Sequence, residues 1–138
     1  MLLARRGTEH YGGLNIRTTG KQEQEIVSHT DPVQSSPCLA WAELSAKFSD
    51  APQTSGLVVL QHCSNPDYPG EWVKYAELNW FQPTFPAHGT RYELKPGEPL
   101  LLRYRLWIHR GAKADEASSS AECRAFHASY TPTILPIH

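Results

Sequence analysis

Residues Gly56–Trp72 read Gly-Leu-Val-Val-Leu-Gln-His-Cys-Ser-Asn-Pro-Asp-Tyr-Pro-Gly-Glu-Trp. Leu57–Leu60 is a short apolar run, long enough for a buried strand and too short for a stable helix. It breaks off into a polar loop carrying His62, Asn65, Pro66, Pro69 and Trp72. A rigid scaffold presents side chains at its rim in this way. Asn65-Pro66 favours a turn, and both prolines stiffen the loop by fixing φ. Trp72 is expected to close over the loop as a lid or stacking face.

Upstream, Cys38–Phe48 alternates. Trp41, Glu43, Ser45 and Lys47 fall on one face; Ala40, Ala42, Leu44, Ala46 and Phe48 fall on the other, which predicts a strand. The turn Ser49–Ser55 would join it antiparallel to Leu57–Leu60. Glu25–Thr30 reads as a short strand after a polar turn at Lys21–Gln24, and Asp31–Pro37 as a loop. Leu14 and Ile16 alternate with Asn15 and Arg17, a half-buried strand that leaves Arg17 at its end. Residues 1–9 read as a loose terminus.

Downstream, Trp72–Ala76 is strand-like. Asn79–Pro86 is aromatic and broken by proline, which argues against a helix or a central strand. Thr90–Leu94 is a further strand. Lys95-Pro96-Gly97-Glu98 has the composition of a type II turn. Pro99–His109 shows the clearest alternation: Leu100, Leu102, Tyr104, Leu106 and Ile108 would face the core. Leu101, Arg103, Arg105, Trp107 and His109 would face outward. Asp115–Tyr130 is the one helix candidate, capped near Asp115, with Cys123, Phe126 and Tyr130 at helical spacing. The apolar tail from Ile134 is expected to dock or fray.

The chain has 138 residues and a formal net charge of −1, which suits a single domain, residues 1–138, and gives no footprint for nucleic acid. No apolar run approaches the ~20 residues that span a bilayer. With no export signal visible, the expectation is a soluble, cytoplasmic protein. Three widely spaced cysteines, Cys38, Cys63 and Cys123, suggest reduced, mostly buried thiols. Nine glycines, eleven prolines, four tryptophans and six tyrosines fit a β-rich fold.

His10, His62, His88 and His109 lie near strand ends, but HxH, HExxH and CxxC spacings are absent; no metal or other cofactor is expected. GxSxG, GxGxxG and Walker spacings are absent too. His62 is the first choice for a general acid/base and His109 the second, with Glu43, Glu71 or Glu77 as carboxylate partner. Arg103, Arg105 and Trp107 on the outward face would hold ligand oxygens and stack on an apolar ligand face. Arg17, Asn65 and Trp72 complete the candidate binding set.

Three stretches together resemble the bacterial "PmoA-like" family. They are Tyr11-Gly12-Gly13-Leu14-Asn15-Ile16-Arg17, Gly56 with the segment His62–Trp72, and Lys95–Glu98 with Leu102-Arg103-Tyr104-Arg105 and His109-Arg110-Gly111. The resemblance covers about residues 8–112, in order, and corresponds to the C-terminal half of a longer architecture. Gln61 stands where the family has Asp, and Cys63 where it has Pro. The label refers to a membrane monooxygenase subunit, but the resemblance implies a soluble β-sandwich from carbohydrate-catabolic settings, hence a sugar-like ligand.

The expected protein is therefore mainly β, an antiparallel β-sandwich with one C-terminal α-helix. It would bind or process a carbohydrate-like small molecule at the His62–Trp72 loop and the Arg103/Arg105/His109 face. The alternative is a non-catalytic binding or oligomer-assembly module, with Trp80, Phe81 and Phe85 on a flat apolar patch meeting a second copy.

Overall fold

The structure, a computed structural model, describes residues 2–5, 12–19, 21–29, 40–48, 51–111 and 113–129. The strands are β1 (Leu2–Arg5), β2 (Ile16–Arg17), β3 (Lys21–His29), β4 (Trp41–Phe48), β5 (Thr54–Gln61), β6 (Glu71–Tyr75), β7 (Trp80–Thr84), β8 (Arg91–Leu94) and β9 (Tyr104–Arg110). The helix α1 (Glu116–Ala128) follows them. All pairings are antiparallel. Sheet orders are β3-β4-β5-β9, β2-β7-β6 and β1-β8.

The four-stranded sheet is covered on both sides. Ala42, Leu44 and Ala46 of β4 and Val59 of β5 meet Ile16 and Phe81 of the three-stranded sheet. On the reverse face Trp41, Val58 and Leu60 pack with Cys123 and Phe126 of α1. Strand alternation produces both cores, because successive side chains point to opposite faces. This is the antiparallel sandwich with a C-terminal helix, and β4, flanked by β3 and β5, is buried on both faces.

Several local expectations change. The terminus expected to be loose contains β1, whose backbone pairs with β8 in the register Leu2↔Leu94 to Arg5↔Arg91. β3 begins at Lys21, so the polar turn is instead an irregularity between Gln22 and Glu25, with Glu23 at φ 52°. β7 is a central strand despite Pro83. β2 pairs with Trp80 and Phe81, so among the described residues no strand lies on that side of Pro83. Phe81 and Phe85 are buried, so the aromatic segment supplies core rather than a flat patch. β9 starts at Tyr104; residues 99–103 are not strand.

The faces of β9 are also reversed in part. Tyr104 packs on the first core, but Leu106 and Ile108, on the same side, are 49% and 76% exposed. Trp107 instead packs into the core beneath α1. The turn Lys95–Glu98 closes with Glu98 N–H donating to Lys95 O at 3.1 Å, and Gly97 has φ 79°. Asp115 caps α1, its carboxylate accepting from Ser118 N–H at 2.8 Å. Cys63 is exposed and Cys123 buried. Cys38, His10, Tyr130, the loop 31–37 and the tail from Ile134 lie outside the described residues.

Candidate functional site

β5 delivers His62 to the start of the loop, where the residue is 3% exposed. Its Nδ1 accepts from Ser64 N–H at 3.1 Å and from the Ser64 hydroxyl at 2.7 Å. With both donors aimed at Nδ1, the neutral ring carries its proton on Nε2. Phe126 and His127 of α1 meet the ring edge-on, at centroid separations of 5.0 and 5.3 Å. Burial holds the imidazole below its ordinary value of 6.5, and the neighbouring His127 and Arg103 charges push the same way. His62 is therefore a neutral base behind Ser64, which is itself exposed.

Arg103 reaches the same place from the other side. Its Nη1 donates to Ser64 Oγ at 3.1 Å. Its main chain is held by the loop: Asn65 Nδ2 donates to Arg103 O at 2.8 Å, and Arg103 N–H donates to Asn65 Oδ1 at 2.7 Å. His62 N–H also donates to Arg103 O, at 3.2 Å. Asn65 thus acts as a strand-like partner for a chain that has not yet entered β9, and its amide is spent on the backbone. Tyr68 N–H donates to Asn65 O at 3.3 Å, and the Tyr68 ring meets His127 at 5.5 Å.

The remaining sequence candidates lie elsewhere. Trp72 is no lid: its ring stacks on Phe81 at 6.2 Å, against the first core. Arg17 is exposed and pairs in register with Trp80, at the end of β7 far from the loop. Arg105 sits over the Phe126 ring at 4.7 Å, donates to Ser129 Oγ at 3.2 Å and lies 3.7 Å from Glu122. Its guanidinium ties α1 to the sheet. Trp107 is covered by the helix and tilts toward His109 at 5.7 Å.

His109 does meet a carboxylate, and it is Glu43. His109 Nε2–H donates to Glu43 Oε1 at 2.8 Å, and Ala114 N–H donates to the same oxygen at 3.1 Å. Glu43 is 1% exposed. Gly56 makes the space, since a Cβ there would collide with the His109 ring. The two histidines do not converge. His109 lies opposite Gly56, and His62 follows Gln61 on the same strand. Six residues at about 3.3 Å each put them roughly 20 Å apart.

Ser64 and His127 were not singled out in the sequence. Ser64 had a signal, a hydroxyl two residues after a histidine in a turn. His127 stands four residues after Cys123 on α1, and its Nε2–H donates to Gln61 O at 3.2 Å. Among the described residues, no three of His, Cys, Asp and Glu form a group suited to a metal ion. Nor is any described helix long and apolar enough to cross a membrane.

The loop motif, its Arg103 anchor and the first core fall within residues 3–122, which match one protein-family model; the second core also draws on Cys123 and Phe126, beyond the match. The chain belongs to DUF6807, a family of unknown function. No curated protein and no solved structure matches this DUF6807 chain. The family match ends at Glu122, within α1, so His127 lies beyond it while its partners Gln61, His62 and Tyr68 lie within it.

Proposed function

We propose that this DUF6807 protein is PmoA-like and binds a carbohydrate-like ligand at the mouth of the His62–Tyr68 loop. The observation that carries the reading is the chain Arg103 Nη1, Ser64 Oγ, His62 Nδ1, linked at 3.1 and 2.7 Å. It joins a cationic fork, an exposed hydroxyl and a buried neutral base. Guanidinium and hydroxyl groups suit the oxygens of a sugar or uronic acid. If turnover occurs, His62 serves as the base through Ser64, whose O–H already points at Nδ1.

The test is a thermal-shift and calorimetric screen against neutral sugars and uronic acids, using Arg103→Ala and Ser64→Ala. Asn65 grips the main chain of residue 103, so Arg103→Ala removes the guanidinium and leaves the loop tie in place. A ligand that raises Tm in wild type and loses at least about tenfold in affinity in both variants supports the site. Equal binding by wild type and both variants would sink it.

A second reading, an assembly module, is favoured by a different observation. Among the described residues β9 pairs on one side only, with β5, and it exposes Leu106 and Ile108. An apolar edge strand is a template for pairing with another chain.

A further inference from the structure

We propose that α1 is a displaceable lid over the Glu43–His109 pair, opening locally while the sheets stay folded. The helix lies across β5 and β9. The segment entering the helix reaches Glu43 through Ala114 N–H, two residues before α1 begins, and the trailing end of α1 reaches Gln61 through His127. Along this span it fully buries only Ser119 and Cys123, a small polar residue and a small thiol. Phe126 adds a half-buried ring. Few large apolar groups therefore anchor the helix, whereas β4 and β5 bury Trp41, Leu44, Val58, Val59 and Leu60.

Ring contacts of Phe126 and His127 with His62 and Tyr68 hold the trailing end of α1, and exchangeable polar contacts hold much of the remainder. Lys113 Nζ donates to Glu25 at 2.8 Å, and Arg105 meets Glu122 at 3.7 Å and Ser129 at 3.2 Å. These groups are partly exposed, and water replaces such contacts at little cost. The chain leaves β9 toward the helix through Gly111, whose φ of 94° only glycine adopts easily.

The interface beneath the helix also contains a strained account of polar atoms. Glu43 Oε2 and Ser119 Oγ are both buried without a hydrogen-bond partner among the described residues. Closing the helix holds a carboxylate oxygen and a hydroxyl away from water, and opening it hydrates both. The open form would present Glu43 and His109, with Trp107 and Arg105 beside them, as a solvent-facing acid–base face.

Hydrogen exchange followed by mass spectrometry, on the full chain near neutral pH, tests the lid. Amides in 119–128 are expected to exchange at least about a hundredfold faster than those of β4 and β5. Glu122→Ala should raise α1 exchange about two- to fivefold and leave β4 and β5 unchanged. Equal protection in helix and sheet, or a variant that accelerates both together, would overturn the proposal. Diethyl pyrocarbonate labelling then tests what opening uncovers. His109 modification is expected to rise in Glu122→Ala in step with α1 exchange; a rate indifferent to that variant would overturn the uncovering of the pair.

Discussion

Asn65 holds Arg103 by its main chain, with one hydrogen bond in each direction at 2.8 and 2.7 Å, across 38 residues of sequence. The side-chain amide matches the donor–acceptor pattern of a peptide group, so it continues the pairing of β9 before β9 begins. Asn65→Ala would leave the part-buried Arg103 N–H unsatisfied and Arg103 O with the His62 N–H. The expected loss is about 1–3 kcal/mol by urea denaturation. Arg103→Ala should cost under about 1 kcal/mol, because its side-chain contact with Ser64 is exposed. Similar losses in the two variants would contradict the division of labour between main chain and side chain.

Gly56 is needed for the Glu43–His109 pair. A Cβ at this position would strike the His109 ring and come within 2.9 Å of Glu43 Oε1. Gly56→Ala is expected to destabilise by about 1–3 kcal/mol. In a double-mutant cycle with His109→Ala the two losses should be less than additive, since the shorter side chain removes the clash. Strict additivity would show that the collision is not what Gly56 avoids.

His62 gives a pH dependence with a defined sign. Burial lowers its folded-state value beneath the ordinary 6.5. The unfolded chain then binds more protons in the window just below 6.5, so stability rises with pH there and falls on acidification. Wild type should lose more Tm between neutral and mildly acid pH than His62→Gln does. An NMR titration of the His62 ring with a midpoint above 6.5 would refute the assignment.

Asp115 works in the same direction, through a carboxylate that the fold keeps charged. Its carboxylate accepts from the Ser118 backbone N–H and hydroxyl, both at 2.8 Å, and this holds it below the usual carboxylate range. The capping contribution is present above the unfolded value and is lost as pH falls through the folded one. Asp115→Ala should melt lower than wild type at neutral pH, with the difference shrinking as Asp115 is protonated. A gap that persists when Asp115 is protonated would point to a cause other than the cap.

Ile108 lies 76% exposed on an edge strand, so its replacement by lysine should change stability by no more than about 0.5 kcal/mol. If β9 is an assembly edge, sedimentation will show wild type associating as concentration rises and Ile108→Lys remaining monomeric. Monomers from both proteins would remove the support for assembly through β9.

Much of the fold was legible because its signals are local. The alternation in Ala42, Leu44 and Ala46, the apolar run Leu57–Leu60, the turn at Pro96-Gly97 and the cap at Asp115 each depend on neighbours a few residues away. The candidate site was legible only in part. His62 and Arg103 were named and do share a network, through a serine that had not been singled out. Trp72, Arg105 and Trp107 carried the right chemistry for binding, but each packs into the structure. An amphipathic side chain gives the same sequence signal at a ligand face and at a covered one.

The sequence by itself determined where most of the strands and the helix form and which residues share a face, because backbone periodicity and turn chemistry act at short range; β1, the start of β3 and the central place of β7 came from pairing with distant strands. Tertiary structure alone decided which of those faces is covered. On β9 the alternation separates Leu106 and Ile108 from Arg105, Trp107 and His109. The aliphatic pair nevertheless stays open at the sheet edge, while Trp107 packs beneath α1, Arg105 meets the Phe126 ring and His109 pairs with Glu43. Coverage depends on where a distant element docks, and that is settled by the summed packing of the whole sandwich.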